Sequence, residues 1–447
     1  MTIFDTSSSL IVEPVKTLQK KLRKSVDKTM EDKPQEDCFK SYQGYSETLK
    51  AASQGAWTSQ MRRKVSISTA QESSDICKDR GLQNHLNQTL SASVKKTVNQ
   101  SPDRFIQGTR FLVDNFDHNY TGRAKGYFLT NFRYKNFQGL GKNFRDNLYC
   151  SHITAKLVKF HLGVPVEFIQ PLSLNEPYSI CDIEVTFLDA NHCPGAVMIL
   201  FRFPNGNSVL YAGGFRAHPK MESYPSFWNC DIHTMYLDTT YWRPFNNFPS
   251  QDEIIQNCVM ISLSHVLDNS SSLIVIGSGS IGREQIILAI ALALDCHIWA
   301  TKGKQEILRS MGNSKILSRL TNDKFSARVH VLPERYIKPR NLANYIDTLE
   351  PTYTVVIGLH LTGWEHVEGN KYPAYLKPKQ LGNVYIYSIP YSEHSSYGEL
   401  RRFVQFLHPK KIIPTVFPRN KYALEQMRCT LVEWEKAGNN IHYREIS

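Results

Sequence analysis

An apolar stretch that ends in a polar loop constrains the fold of this chain more than any other feature. Residues 127–130 read Tyr-Phe-Leu-Thr, and residues 131–136 read Asn-Phe-Arg-Tyr-Lys-Asn before the chain reaches Gly139. Apolar residues of this length are typical of a buried strand, and a strand followed by a polar loop carries side chains to the edge of a sheet. The sequence therefore predicts a functional edge after residue 130.

Further polar motifs follow strand-like segments along the chain. Between residues 248 and 383 strands alternate with helices, with an apolar strand at 273–276 before an apolar helix at 283–294. Such alternation is typical of α/β folds. Asn205-Gly206 predicts a hairpin turn, and Ser151 is a candidate N-cap for a helix over residues 151–162. Three polar motifs stand out: Asp189-Ala190-Asn191-His192-Cys193-Pro194-Gly195-Ala196, Asp238-Thr239-Thr240-Tyr241 and Ser392-Glu393-His394-Ser395-Ser396-Tyr397.

Length, net charge and cysteine spacing limit which class of protein this chain can belong to and which kind of partner it can bind. The 447 residues are enough for two or three domains. Lys and Arg total 53 against 41 Asp and Glu, a formal net charge of +12, which favours nucleic acid or an anionic surface as partner. The nine dispersed cysteines show no C-x-x-C pair, so neither a zinc finger nor a disulfide framework is indicated. We expect a reducing compartment and no membrane association, because no apolar run reaches spanning length.

Residues 1–103 differ in composition from the remainder. They are rich in Ser, Gln, Thr and Lys and show little periodicity, which predicts a largely disordered tail. Basic clusters at 20–24 and 62–64 are candidates for nuclear import or for phosphate contact, and solvated surface charge is the alternative for each.

Together the motifs resemble the metallo-β-lactamase-fold DNA nucleases that carry a β-CASP insert, the cross-link repair branch that includes Apollo and Artemis. The resemblance covers roughly residues 104–435 and is most specific at 189–198. It implies an α/β fold, a metallo-β-lactamase αββα sandwich with an inserted α/β β-CASP domain. The implied boundaries are 104–247 for the first part of the sandwich, 248–383 for the insert and 384–447 for the C-terminal return. The implied activity is a 5′–3′ exonuclease on 5′-phosphorylated DNA that uses two metal ions.

The family's metal-binding pattern is only partly present. By resemblance, His192 and His394 are remnant ligands, and Asp114 and Asp238 are the acids that support the site. The family's H-x-H-x-D-H pattern and the Asp of its T-G-D-F-R loop are replaced here, and the substituted positions are Asn131, Arg133, Lys135, Asn136 and Gly214.

These substitutions predict that no metal is bound, with zinc as the ion if the site is occupied. Hydrolytic zinc sites ordinarily keep at least three protein ligands and a water. A cationic side chain about 4 Å from a divalent ion costs roughly 8 kcal/mol at an effective dielectric of 20. We expect Lys135 or Arg133 to occupy the vacated position and to pair with Asp238 or Asp114, the alternative being that both cations point into solvent.

A glycine-rich turn, Gly277-Ser278-Gly279-Ser280-Ile281-Gly282, lies between a strand and a helix. Its spacing matches the G-x-G-x-x-G pattern of dinucleotide-binding folds. The next strand, however, ends without the Asp or Glu that would bind the ribose of a dinucleotide, which argues against such a cofactor. A turn that opens a helix can hold a phosphate through backbone N–H groups. Ser278, Ser280 and Arg283 are therefore candidate contacts for a DNA terminal phosphate, and simple strand-to-helix packing is the alternative.

Three functions remain open at this point. The first is a catalytically impaired pseudo-nuclease in the nucleus that binds DNA, either single strands or 5′-phosphorylated ends. The second is an active single-metal 5′-exonuclease that uses the remnant residues. The third is a non-catalytic scaffold in DNA repair that binds a protein partner through the N-terminal tail.

Overall fold

The computed structural model describes residues 105–117, 122–362 and 377–438. The tail predicted over residues 1–103 lies outside these ranges. No helix in the described part of the chain combines the length and the apolar character needed to cross a membrane.

The first sheet is parallel and follows directly from the strand-and-loop pattern of the N-terminal half. Its four strands lie side by side in chain order, β1 (Phe111–Val113), β2 (Gly126–Phe128), β3 (Leu148–Ser151) and β4 (Ile169–Leu172). Because the strands are parallel, their carboxyl ends open at one edge. The short helix α1 (Tyr134–Phe137) follows β2 at that edge, and α2 (His152–Leu157) follows β3.

The predicted N-cap is confirmed at the start of α2, where Thr154 N donates to Ser151 Oγ. The helix is shorter than the sequence predicted. It passes into a π-helical segment, Val158–Leu162, which ends at Gly163 in the left-handed conformation. The segment leads into β4 after a 3₁₀ turn at Val166–Phe168.

The second sheet is mixed and packs against the first. Its order is β16-β9-β8-β7-β6-β5, and its strands are β5 (Pro177–Ile180), β6 (Ile183–Asp189), β7 (Val197–Arg202), β8 (Ser208–Tyr211), β9 (Ile232–Leu237) and β16 (Lys411–Pro414). The predicted hairpin joins β7 to β8, with Gly206 at φ 82°. β9 and β16 are parallel neighbours, so their carboxyl ends open at the same edge.

Alternation along β7 separates two cores. Val197, Ile199 and Phe201 share one core with Phe111 and Phe128 of the first sheet. Met198 and Leu200 point to the other face, as a two-residue period requires, and join a second core with helices α8 (Tyr397–Leu407) and α9 (Lys421–Gly438). The sandwich therefore has helices outside two facing sheets.

The third sheet is built from residues 272–389 in the order β11-β12-β10-β13-β15-β14. Its strands are β10 (Ser272–Ser278), β11 (His297–Ala300), β12 (Ala327–Pro333), β13 (Val355–Leu361), β14 (Lys379–Leu381) and β15 (Val384–Ile389). All pairs except β14–β15 are parallel. Five helices accompany it: α3 (Gln251–Asp268), α4 (Glu284–Ala293), α5 (Lys302–Met311), α6 (Ser314–Leu317) and α7 (Pro339–Asp347).

The central strand β10 is buried along its whole length, as expected for a parallel sheet covered on both faces. Leu273 and Val275 pack with Leu342 and Ile346 of α7. The intervening Ile274 and Ile276 point to the opposite face. The chain leaves this sheet through β15, whose carboxyl end delivers the loop that carries His394.

Candidate functional site

Asp114 lies directly after β1 and receives three hydrogen bonds. Its backbone has φ 52°, and its carboxylate accepts from Thr130 N at 2.8 Å, from Thr130 Oγ1 at 2.6 Å and from Asn136 Nδ2 at 2.7 Å. Burial raises the pKa of Asp114 to about 6, and the bonds from Thr130 and Asn136 oppose that rise. Asn136 therefore serves as a donor to a buried acid rather than as a metal ligand.

Asn131 is almost completely buried beside the same acid. Its Nδ2 donates to Thr130 Oγ1 at 3.0 Å, while its Oδ1 has no hydrogen-bond partner among the described residues. Lys135, the residue immediately before Asn136 on α1, is exposed to solvent. The expectation that Lys135 fills the vacated metal position is thus wrong, because α1 turns this side chain outward.

Arg133 forms an ion pair with a residue that the sequence did not assign to the site. Its Nη2 lies 3.0 Å from Oε1 of Glu393, and Nη1 of Arg283 approaches the same oxygen at 2.7 Å. Only 6% of the Glu393 side chain and 11% of the Arg283 side chain are exposed. The predicted pairing of Arg133 with Asp238 or Asp114 is therefore wrong, since both acids are satisfied by other donors and Glu393 lies within reach.

The two remnant histidines lie side by side, with ring centroids 4.7 Å apart. His394 Nδ1 lies 2.5 Å from Asp238 Oδ2. Burial alone would lower the pKa of His394, but the charge and the hydrogen bond of Asp238 outweigh burial and raise it. Burial would raise the pKa of Asp238, but the His394 charge lowers it. The pair thus favours a protonated His394 beside a carboxylate form of Asp238.

His192 is held in the opposite protonation state. Its Nδ1 lies 2.8 Å from the Glu393 carbonyl oxygen, to which it donates. Burial, then the charge on His394, then the charge on Arg133 lower the pKa of His192 well below its ordinary range. The two imidazoles therefore have pKa values shifted in opposite directions, His192 downward and His394 upward, beside the permanent guanidinium of Arg133.

Gly214 lies against the free side of His192. A Cβ placed on this glycine would be 3.0 Å from His192 Nε2. Gly214 therefore supplies no carboxylate to bridge metal ions. Its backbone nevertheless lies close enough to His192 for a carboxylate side chain at this position to reach the imidazole.

A zinc ion does not fit this set of residues. With Nδ1 of each histidine hydrogen-bonded, Nε2 of His192 and Nε2 of His394 supply at most two imidazole ligands, while Asn131 and Asn136 bond to Thr130 and Asp114 and Gly214 offers no donor. In the described ranges no group of three or more His, Cys, Asp or Glu side chains is arranged to hold a metal ion. A hydrolytic zinc centre needs at least three such ligands.

The glycine-rich turn packs against the ion cluster of Arg133, Glu393 and Arg283. A Cβ on Gly282, which has φ 116°, would collide with the carboxylate of Glu393 and with Nη2 of Arg133. Glycine at this position therefore permits the contact between the turn and the cluster. The Gly282 N–H donates to Glu284 Oε2 at 2.6 Å, so this backbone donor is already used within the protein.

The turn separates the three candidate phosphate contacts. Ser278 and Ser280 line a cavity of about 400 Å³ together with Thr301, Lys304 and Arg335. Arg283 is not among the described residues that line this cavity. Its guanidinium instead donates to Glu393 and to the Leu361 carbonyl at 2.9 Å, and it lies over the ring of Tyr391.

Lys304 and Arg216 are two further structural cations that sequence reasoning did not single out. Lys304 Nζ lies 2.8 Å from both Ser280 O and Glu284 Oε1, which fixes the turn. Arg216 is 2% exposed and donates to Glu399 Oε2, Ser392 O and Pro249 O. Glu393 was visible only as the neighbour of His394 in its motif, and spacing alone gave no signal for its partners.

Comparison with known proteins identifies the family. The family described as DNA repair metallo-beta-lactamase matches residues 314–420. The chain is 39% identical over 331 residues to the DNA cross-link repair protein SNM1 of Arabidopsis thaliana, covering 74% of this chain and 68% of the relative. It is 42% identical over 334 residues to the DNA cross-link repair 1A protein of Gallus gallus (75% of this chain, 34% of the relative). It is 30% identical over 312 residues to the 5′ exonuclease Apollo of Gallus gallus (70% and 63%).

The chain therefore belongs to the metallo-β-lactamase/β-CASP family of DNA cross-link repair nucleases, and the fold class inferred from the motifs is confirmed. It spans about a third of the length of the cross-link repair 1A proteins and about two thirds of the length of the plant relative. The domain boundaries and the roles of individual site residues stay predictions.

Proposed function

We propose that this chain is a DNA-binding member of the cross-link repair family whose hydrolytic metal centre is replaced by an ion cluster of its own side chains. The observation that carries the proposal is the Arg133–Glu393–Arg283 cluster. It places a permanent cation at a position where the family pattern has a metal ligand. A charge about 4 Å from a divalent ion costs roughly 8 kcal/mol at an effective dielectric of 20, and no additional carboxylate at position 214 offsets that cost.

The chemistry of the remaining residues supports the same proposal. Activation of a water for attack on a phosphodiester needs a Lewis acid or a well-placed general base. Nδ1 of His394 is hydrogen-bonded to Asp238, and Nδ1 of His192 donates to the Glu393 carbonyl. Both histidines keep only Nε2 for a ligand or a proton, and among the described residues no third imidazole or carboxylate joins them to hold a metal ion, so metal-activated hydrolysis is absent or very slow.

DNA remains the best-supported partner. The surplus of 53 basic over 41 acidic residues suits the phosphate backbone, and binding through phosphates weakens steeply with salt. Single strands or 5′-phosphorylated ends are the proposed ligands, with Ser278 and Ser280 in their cavity as contacts for a terminal phosphate. We place the protein in the nucleus on the basis of this partner.

Elemental analysis and nuclease assays test the loss of the metal centre. We expect protein purified without chelator to carry far less than one zinc per chain. A 5′-phosphorylated single strand should stay intact in zinc, manganese or magnesium. Cleavage that disappears with EDTA and in a His192→Ala variant would instead establish a single-metal exonuclease.

Binding assays test the second half of the proposal. Anisotropy with single-stranded, duplex and 5′-phosphorylated DNA should give affinities that fall as salt rises. If no salt-sensitive binding is found with any of these, the protein acts without DNA, and a scaffold for protein partners becomes the better explanation.

A further inference from the structure

Two loops lie next to each other at the edge of the second sheet, one after β9 and one after β16. The register pairs Pro414 with Leu237, and Thr415 N donates to Leu237 O at 2.9 Å. Thr239 Oγ1 then donates to Val416 O at 2.5 Å. The two segments, residues 239–247 and 415–422, are therefore in contact where they leave their strands, and together they are called here the aromatic edge.

The aromatic edge adjoins the candidate site. Asp238, which holds His394, is the residue immediately before the first loop, and the ring of Tyr241 lies 6.4 Å from that of His394. A ligand that crosses this edge therefore passes beside the two remnant histidines.

Large aromatic rings on this edge are exposed to solvent. The exposed fractions are 52% for Phe245, 60% for Phe417 and 75% for Tyr422. The Arg243 guanidinium lies 5.6 Å from the Phe245 ring centroid and 5.2 Å from that of Trp242. Rings in such positions contribute little to the core of this protein and present apolar surface to solvent that a ligand can cover.

Charge on the aromatic edge has one sign. Residues 239–247 and 415–422 contain Arg243, Arg419 and Lys421, the last at the start of α9, and neither Asp nor Glu. Exposed aromatic rings interleaved with cations are the arrangement that binds single-stranded nucleic acid, because unpaired bases stack on the rings while the cations follow the phosphates. A duplex has no free base faces to offer.

We propose that the aromatic edge binds single-stranded DNA, with bases stacked on Phe245 and Phe417 and phosphates held by Arg243, Arg419 and Lys421. This inference rests on the DNA binding proposed above and assigns it to a surface. It requires no metal and no cleavage, and it leads a strand past His394.

Stacking is tested with the full chain and a fluorescent, mixed-sequence single-stranded oligonucleotide that lacks a 5′ phosphate. Phe417→Ala and Phe245→Ala should each weaken binding about 5- to 150-fold at constant salt. The matched control is Phe160→Ala. Phe160 is 65% exposed with Lys159 near its ring, but it lies in the π-helical segment after α2 and belongs to neither segment of the aromatic edge, so affinity should not change.

The phosphate contacts are tested by salt titration. Replacing both Arg419 and Lys421 by Ala should reduce the slope of log affinity against log salt by about 1.4, since each contact with a single strand contributes about 0.7. Duplex binding should lose much less in the Phe417 variant than single-strand binding does.

The outcomes separate this inference from the proposed function. If the wild-type chain binds single strands and the Phe245 and Phe417 variants bind equally well, the aromatic edge is not the binding surface, although DNA binding stands. If duplex and single strand lose affinity equally, stacking on unpaired bases is wrong. If the wild-type chain binds no DNA, both proposals fail.

Discussion

The guanidinium of Arg133 and the carboxylate of Glu393 meet at 3.0 Å, although they come from opposite ends of the folded domain's sequence. Arg133 follows β2 of the first sheet, and Glu393 follows β15 of the third. Arg283 completes the cluster at 2.7 Å, from the turn after β10. Three segments of the chain are thus joined by charge at the place where the family pattern has a metal.

Glu393→Gln should destabilise the protein by about 3 kcal/mol, because it leaves the buried guanidinium of Arg283 and the partly exposed guanidinium of Arg133 without a counter-charge. Urea denaturation at pH 7 measures the loss. The control is Glu425→Gln, which removes a surface pair with Arg428 and should cost less than about 1 kcal/mol. Equal losses in the two variants would show that the cluster has no special role in stability.

Arg216→Lys should cost about 3 kcal/mol, because an ammonium cannot reach Glu399, Ser392 and Pro249 in the fixed directions of a guanidinium. Thermal and urea unfolding report the change. Arg402→Lys is the matched control, since Arg402 also bonds a glutamate and a carbonyl but is 37% exposed. A control that loses as much stability as the Arg216 variant would contradict this prediction.

Restoring the family's ligands should restore metal binding. We expect a variant with Asn131→His, Arg133→His, Lys135→Asp, Asn136→His and Gly214→Asp to retain zinc stoichiometrically through gel filtration, because it regains the imidazole and carboxylate donors and loses both cations. His192 must shift by a few tenths of an ångström, since a Cβ at 214 lies 3.0 Å from its Nε2. Gly214→Asp alone should retain none, and zinc in that single variant would show that Arg133 does not exclude the ion.

His330 should make stability depend on pH. Burial lowers the pKa of His330 to about 4, and its ring nitrogens lie 2.8 Å from the Tyr345 hydroxyl and 2.9 Å from the Lys324 carbonyl. Because the folded pKa is below the unfolded value of 6.5, the full stability is present above pH 6.5. It is lost as pH falls towards 4, by about 3 kcal/mol in total.

Urea midpoints measured between pH 7 and pH 4 test the role of His330. His330→Gln should flatten this part of the pH profile relative to wild type. His297→Gln changes an exposed histidine on the neighbouring strand and should leave the profile unchanged. A His330 variant with the wild-type pH dependence would assign the effect to other groups.

The sequence by itself determined the class of fold and the loss of the ligands. Both depend on local patterns: polar motifs after strands, the Asn-Gly hairpin, and the cap at Ser151, whose hydroxyl oxygen accepts from Thr154 N. Substitutions such as Gly214 can be read directly because residue identity alone decides whether a donor is present.

Only the tertiary structure decided where the replacement charges go. Arg133 and Lys135 are two residues apart, yet one pairs with Glu393 and the other is exposed, because Arg133 is extended just before α1 while Lys135 lies on the solvent side of that helix. The partner of Arg133 arrives from a distant strand, and the contact of Gly282 with both residues depends on the packing of a third segment. Long flexible cations pair with whichever acid the packed chain brings near, and residue spacing does not contain that information.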